Sequence, residues 1–128
     1  MTTPYMMSEY TPFCAYGSGT DTDWYRFYAV DDDFVYDVMK FRFWSNAPNI
    51  EVCAFAKCDN GRLPDGCSPL VDGPNGTRGC CWTGAPATLK PSWDMDCPDT
   101  TSDSATVWVS VKMPGATACE PYAMWGGY

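Results

Sequence analysis

Cys80 and Cys81 stand side by side in a chain that carries eight cysteines, the others being Cys14, Cys53, Cys58, Cys67, Cys97 and Cys119. A bridge between sequence neighbours is strained, so the two are expected to take different partners, and distant parts of the chain must converge on residues 80–81. An even cysteine count in a short chain reads as a disulfide framework, and disulfides persist in oxidising compartments. The expected setting is therefore extracellular, with the protein secreted. Structural zinc is the rival use of cysteine, but no pair of Cys-x-x-Cys hooks is present. Connectivity stays open, since eight cysteines allow roughly a hundred pairings. Closeness in sequence favours Cys53–Cys58, places Cys67 and Cys97 as partners of the adjacent pair, and leaves Cys14–Cys119 to tie the ends.

The chain contains no histidine, the commonest general base and metal ligand. Neither Gly-x-Ser-x-Gly nor Ser-x-x-Lys occurs, and the glycines form no phosphate loop. Carboxylates are too widespread for a glycosidase pair to stand out. No enzymatic activity is expected. Sixteen acids against eight bases give a net charge of −8, and thirteen of the acids are aspartate. That balance argues against nucleic acid, whose binders neutralise phosphates, and against anionic membrane surfaces. No apolar run approaches the roughly 18 residues of a membrane span, so no insertion is expected. Residues 1–10 lack the charged and apolar regions of a signal peptide, which implies a mature form or another export route. Asn75-Gly76-Thr77 matches the N-glycosylation pattern, and a loop turn explains the same residues equally well.

At 128 residues the chain is of single-domain size and long enough to bury a core. From Phe34 to Trp44, Val35, Met39, Phe41 and Phe43 alternate with polar positions that include Lys40 and Arg42, the period of a half-buried strand. From Thr106 to Met113, Val107, Val109, Val111 and Met113 point one way and Thr106, Trp108, Ser110 and Lys112 the other. Residues 24–30 and 50–57 read as further strands, the latter with Ile50, Val52, Ala54 and Ala56 on one face. Residues 121–128 supply a short last strand with Tyr122 and Trp125. Short strands between turn residues, without a helical stripe, predict an all-β, antiparallel sandwich. The stretch from Cys58 to Cys97 holds six of the eleven glycines and five of the cysteines. It is expected to be a long disulfide-stapled loop excursion, with one short strand near Ala87 to Lys90.

Trp108, out of phase with its valines, and Trp44, in phase with Lys40 and Arg42, should face outward and offer a binding surface; cover by the excursion is the alternative. Aspartates cluster at Asp21-Thr22-Asp23, at Asp31-Asp32-Asp33 and at Asp94, Asp96 and Asp99. Calcium takes six to eight oxygens, often from such loops. It is the one cofactor the composition leaves open, at Asp21, Asp23, Asp31 and Asp33, although solvated turns account for the same residues.

Asp21-Thr22-Asp23-Trp24-Tyr25-Arg26-Phe27 resembles the opening Asp-x-Asp-Trp-Tyr-x-Phe strand of bacterial pre-peptidase C-terminal (PPC) domains. Ser104-Ala105-Thr106-Val107-Trp108-Val109-Ser110-Val111 resembles their Gly-Thr-Tyr-Tyr-Val-x-Val strand. Cys119-Glu120-Pro121-Tyr122 and Gly79-Cys80-Cys81 are similar to the cysteine-rich versions in secreted proteins of myxobacteria. The resemblance implies a jelly-roll-like β-sandwich over residues 21–128, preceded by an N-terminal arm, residues 1–20. It also implies an accessory role beside exoenzymes or binding to collagen or polysaccharide. The long cysteine-rich insertion and the lack of a catalytic domain depart from the pattern.

Two functions follow as expectations. The first is a non-catalytic binding or adhesion module that meets extracellular polysaccharide or protein through exposed aromatics. The second is a structural subunit that assembles with copies of itself into a fibre or surface layer, using Tyr5, Met6, Met7, Tyr10 and Phe13 of the arm against a neighbour's sheet edge. An accessory domain of a secreted hydrolase is a distant third.

Overall fold

The computed structural model describes residues 5–13, 22–29, 39–45, 47–97, 104–114 and 120–127. Nine strands run in the order β1 (Tyr5–Phe13), β2 (Thr22–Ala29), β3 (Met39–Ser45), β4 (Ile50–Cys58), β5 (Val71–Asp72), β6 (Arg78–Gly84), β7 (Ser92–Met95), β8 (Ala105–Lys112) and β9 (Glu120–Gly127) among the described residues. A single helical turn, α1 (Pro86–Leu89), joins β6 to β7. They form one sheet of order β1-β9-β3-β7 and a second of order β2-β8-β4-β6-β5, every pairing antiparallel. The pairs β1–β9, β2–β8, β3–β7 and β4–β6 nest inside one another like a folded hairpin, while β9–β3 and β8–β4 join successive layers of it. That connectivity is a jelly roll.

The alternation read from the sequence builds the core. Ile50, Val52, Ala54 and Ala56 of β4 and Val107, Val109 and Val111 of β8 are all buried and meet Phe41, Phe43, Trp93, Met95, Tyr122 and Met124 of the opposite sheet in one cluster. Trp82, partly buried, reaches across to Phe41 with ring centroids 6.1 Å apart. One network carries polar groups through this interior. Tyr122 donates to Asp23 Oδ2 at 3.1 Å, and the Tyr25 hydroxyl lies against that of Tyr122. Since the proton of Tyr122 is committed to Asp23, Tyr25 is the donor to Tyr122. β2 is thereby pinned over β9.

The cysteine pairing corrects the expectation. Cys53 bonds Cys81, Cys58 bonds Cys97, and Cys67 bonds Cys80. Cys53 and Cys58 cannot meet because both belong to one extended strand, where five residues span about 16 Å. They also have opposite parity: Cys58 shares the inward face of Ala56, and Cys53 faces out opposite Cys81. The adjacent cysteines do take different partners, and Cys67 is one of them. Cys97 instead ties the end of β7 to the end of β4, linking the two sheets. Cys14 and Cys119 lie outside the described residues.

The stretch between Cys58 and Cys97 is more ordered than its composition suggests. Its longest stretch without a strand is residues 59–70, and β6 and β7 are members of the two sheets. The strand expected at Ala87 to Lys90 is instead the helical turn α1, which begins on Pro86 and ends where Lys90 adopts a left-handed conformation (φ 46°). Asn75 (φ 57°) and Gly76 (φ 72°) turn the chain from β5 into β6, with Thr77 N–H returning to Pro74 O at 3.2 Å. Two successive left-handed residues are what an Asn-Gly turn supplies, so hairpin geometry accounts for the Asn-Gly-Thr triplet.

Candidate functional site

The aromatics that face solvent divide between the two outer faces of the sandwich. On the four-stranded sheet, Trp44 is 54% exposed at the end of β3. Ala123 of β9 stands opposite it, and Arg42, two residues earlier on the same strand, is clamped to Asp94 at 2.8 Å. Trp108 belongs to β8 in the other sheet, so the two tryptophans expected to share a binding role do not share a surface. Trp108 does face outward, but it is half-buried, with the Arg26 guanidinium 5.4 Å from its ring centroid.

The outer face of the five-stranded sheet is built in rows. Trp24, Ser110, Cys53 and Cys81 form one row, and Arg26, Trp108, Phe55 and Gly79 the next. Phe55 is an outward residue by parity yet only 6% exposed. The excursion covers one side of it: a Cβ at Gly73 would fall 2.4 Å from the Phe55 ring, so only glycine lets the chain pass there. The other side is covered by Trp24, which leans across β8 and stacks on Phe55 at 6.4 Å and 24°. Trp24 itself is 53% exposed. It lies within the strand expected at residues 24–30, outside the tryptophans expected to form a binding surface. The signal was Arg26, whose charge marks the outward phase of β2 and places Trp24 and Tyr28 with it. Tyr28 donates its hydroxyl to Asp59, and that carboxylate holds the phenol above its ordinary pKa.

The aspartates divide as follows. Asp21, Asp31 and Asp33 lie outside the described residues, and Asp23 accepts from Tyr122. Asp94 pairs with Arg42, and the Asp96 backbone bridges to Asp65, with N···O distances of 3.0 and 3.3 Å. Among the described residues no group of three or more carboxylates and cysteines is arranged to hold a metal ion.

Sheet edges differ between the two sides of the sandwich. At one side β7 is capped by the Asp65 bridge and by Trp93 Nε1, which donates to Asp65 O at 2.9 Å, while the short β5 covers β6. At the other side the outermost strands are β1 and β2. β1, Tyr5–Phe13, lies within the segment read from sequence as an arm, residues 1–20. Tyr5, Met6 and Met7 stand opposite Gly126, Trp125 and Met124 of β9, Phe13 stands opposite Glu120, and Tyr10 falls within the irregularity between Glu9 and Phe13. The arm thus forms a strand of the chain's own sheet.

No family model, curated protein or solved structure matches this chain. The three intramolecular disulfides among the described residues indicate an oxidising environment, and no helix among those residues is long and apolar enough to cross a membrane.

Proposed function

We propose that this protein is a secreted, non-catalytic structural subunit that assembles with copies of itself by exchanging β1. The observation that carries the reading is the placement of β1 as the edge strand of its sheet, with β9 as its partner among the described residues. An edge strand is a template for another chain, and natural sandwiches blunt their edges unless the edge is used. Here β7 is bridged by Asp65 and β6 is covered by β5, whereas no described strand covers the outer side of β1 or β2. A β1 supplied by a neighbour makes the same backbone ladder to β9 that the chain's own β1 makes, so exchange costs little in contacts. Passed head to tail it propagates into a fibre, and the disulfides keep each bead folded outside the cell. The PPC-like resemblance fits such a secreted bead without requiring a protease beside it.

Sedimentation and electron microscopy of native material test the reading. Filaments or a ladder of oligomers are expected, and deletion of residues 1–13 should leave short, non-propagating species. Monodisperse 14.2 kDa particles at all concentrations would remove it. A second reading, a surface adhesion module, is favoured by the exposed Trp44 beside the Arg42–Asp94 pair. It predicts ligand capture that Trp44→Ala abolishes.

A further inference from the structure

The outer face of the five-stranded sheet differs in charge from the chain as a whole. The chain carries −8 overall, yet Arg26, Lys57 and Lys112 lie on this face against Glu51 on its strands and Asp59, held by Tyr28, at its rim. Among the described residues none places a carboxylate within ion-pair distance of Arg26, Lys57 or Lys112. Arg26 rests instead on the ring of Trp108. Such an arrangement holds the guanidinium without neutralising it.

Beside these cations stands Trp24, braced from beneath by Phe55 and open to solvent on its other side. The brace matters because a fixed ring loses little conformational freedom when a ligand lies on it. The rows on either side are polar, with Thr22, Lys112, Glu51 and Thr83 on one flank and Tyr28, Thr106 and Lys57 on the other. A protein interface wants a contiguous apolar centre around its aromatic anchor. A sugar presents one C–H face to a single ring and hydroxyls or carboxylates to the polar groups around it. Trp24 and Tyr28 stand exposed on the same face with Arg26 between them, and separate rings with polar, cationic flanks match the sugar.

We propose that this face binds a linear acidic polysaccharide, one sugar ring stacking on Trp24 and neighbouring carboxylates meeting Arg26, Lys57 and Lys112. The site lies on the sheet opposite to β1 and β9, so it stands independently of strand exchange.

Affinity electrophoresis of the whole protein through gels containing polygalacturonate or neutral dextran tests it. Retardation by polygalacturonate is expected, weakening as salt rises. Trp24→Ala should reduce the apparent affinity roughly tenfold, as loss of a central aromatic anchor does. Arg26→Gln, which removes the charge but leaves the exposed tryptophan, should reduce it by a smaller factor and keep the wild-type melting temperature to within about 2 °C, whereas Trp24→Ala uncovers Phe55 and should melt lower while still unfolding cooperatively. Absence of retardation by polygalacturonate overturns the proposal. So does equal retardation by dextran, or wild-type retardation of Trp24→Ala. If Trp24→Ala changes only the sedimentation of the protein, the face is a contact between copies and the polysaccharide assignment is wrong.

Discussion

Tyr122 is the residue on which the two sheets depend most directly. Its ring stacks on Phe43 within its own sheet at 5.6 Å, and its hydroxyl is held between Tyr25 and Asp23 of the other. Burial, reinforced by the bond to Tyr25 and the nearby Asp23 carboxylate, pushes its pKa far above the ordinary phenol value. The sign of the pH effect follows from that direction. Below about pH 10 the phenol is protonated in folded and unfolded chains alike, and the contribution to stability is whole. Above it the unfolded chain releases the proton and the folded chain does not, so stability falls by up to about 1.4 kcal/mol per pH unit from this group. Tyr122→Phe should cost about 1–2 kcal/mol at pH 7, since it strips the half-buried Asp23 of a donor. The gap to wild type should then narrow between pH 10 and 11. Urea midpoints at pH 7, 10 and 11 measure both effects, and a constant gap across the three would show that Tyr122 does not titrate with unfolding. Asp23 is legible in the sequence as an acid beside a strand, open to calcium or to a solvated turn. Its bond to Tyr122 was not legible, because the partners are 99 residues apart and meet only once both sheets exist.

Among the elements, those with uninterrupted alternation could be read directly. In β4 and β8 every second residue is apolar over seven or more positions, and side-chain period alone fixes which face is buried. β6 could not be read this way. Its sequence, Arg78-Gly79-Cys80-Cys81-Trp82-Thr83-Gly84, carries glycine near each end and cysteines on both faces. What makes it a strand is β4 beside it and bridges to Cys53 and Cys67, all nonlocal. The glycine is itself required: a Cβ at Gly79 would fall 1.8 Å from the Ala54 carbonyl oxygen. The bridges also set a stability order. They close intervals of 39, 28 and 13 residues for Cys58–Cys97, Cys53–Cys81 and Cys67–Cys80. Loop-closure entropy gives about 4 kcal/mol to the longest and about 3 to the shortest. Cys58 and Cys97 are in addition both buried, so replacing them leaves a void. Denaturant midpoints of paired Cys→Ala variants should therefore rank Cys58–Cys97 as the most costly loss and Cys67–Cys80 as the least. The reverse order would mean that local strain, not chain entropy, governs them.

For the whole molecule the open question is whose β1 completes the sheet, and the register of β1 on β9 makes it decidable. Ser8 and Ala123 are direct partners across the ladder. Opposed positions in an antiparallel pair lie about 4.5–5.5 Å apart, within the reach of a disulfide. With Ser8→Cys and Ala123→Cys in one chain, a β1 that stays at home forms an internal bridge. A β1 donated to the next copy forms a bridge between chains. On a non-reducing denaturing gel the first gives a single monomer band and the second a ladder that collapses on reduction. The ladder is expected, with each rung adding one subunit, because a head-to-tail exchange does not close. Mixing chains that carry Ser8→Cys alone with chains that carry Ala123→Cys alone should give covalent dimers only by exchange. A monomer band from the double variant, with no dimer in the mixture, would place β1 permanently in its own sheet and end the strand-exchange proposal. It would leave the acidic-sugar face untouched, since Trp24 and Arg26 belong to the other sheet. A fibre displays that face once per subunit, so assembly turns a weak sugar contact into a multivalent one. The double variant separates these two levels. Cross-linked oligomers should be retarded by polygalacturonate more strongly than the Ser8→Cys single variant diluted to monomer, whereas without exchange the two should migrate alike.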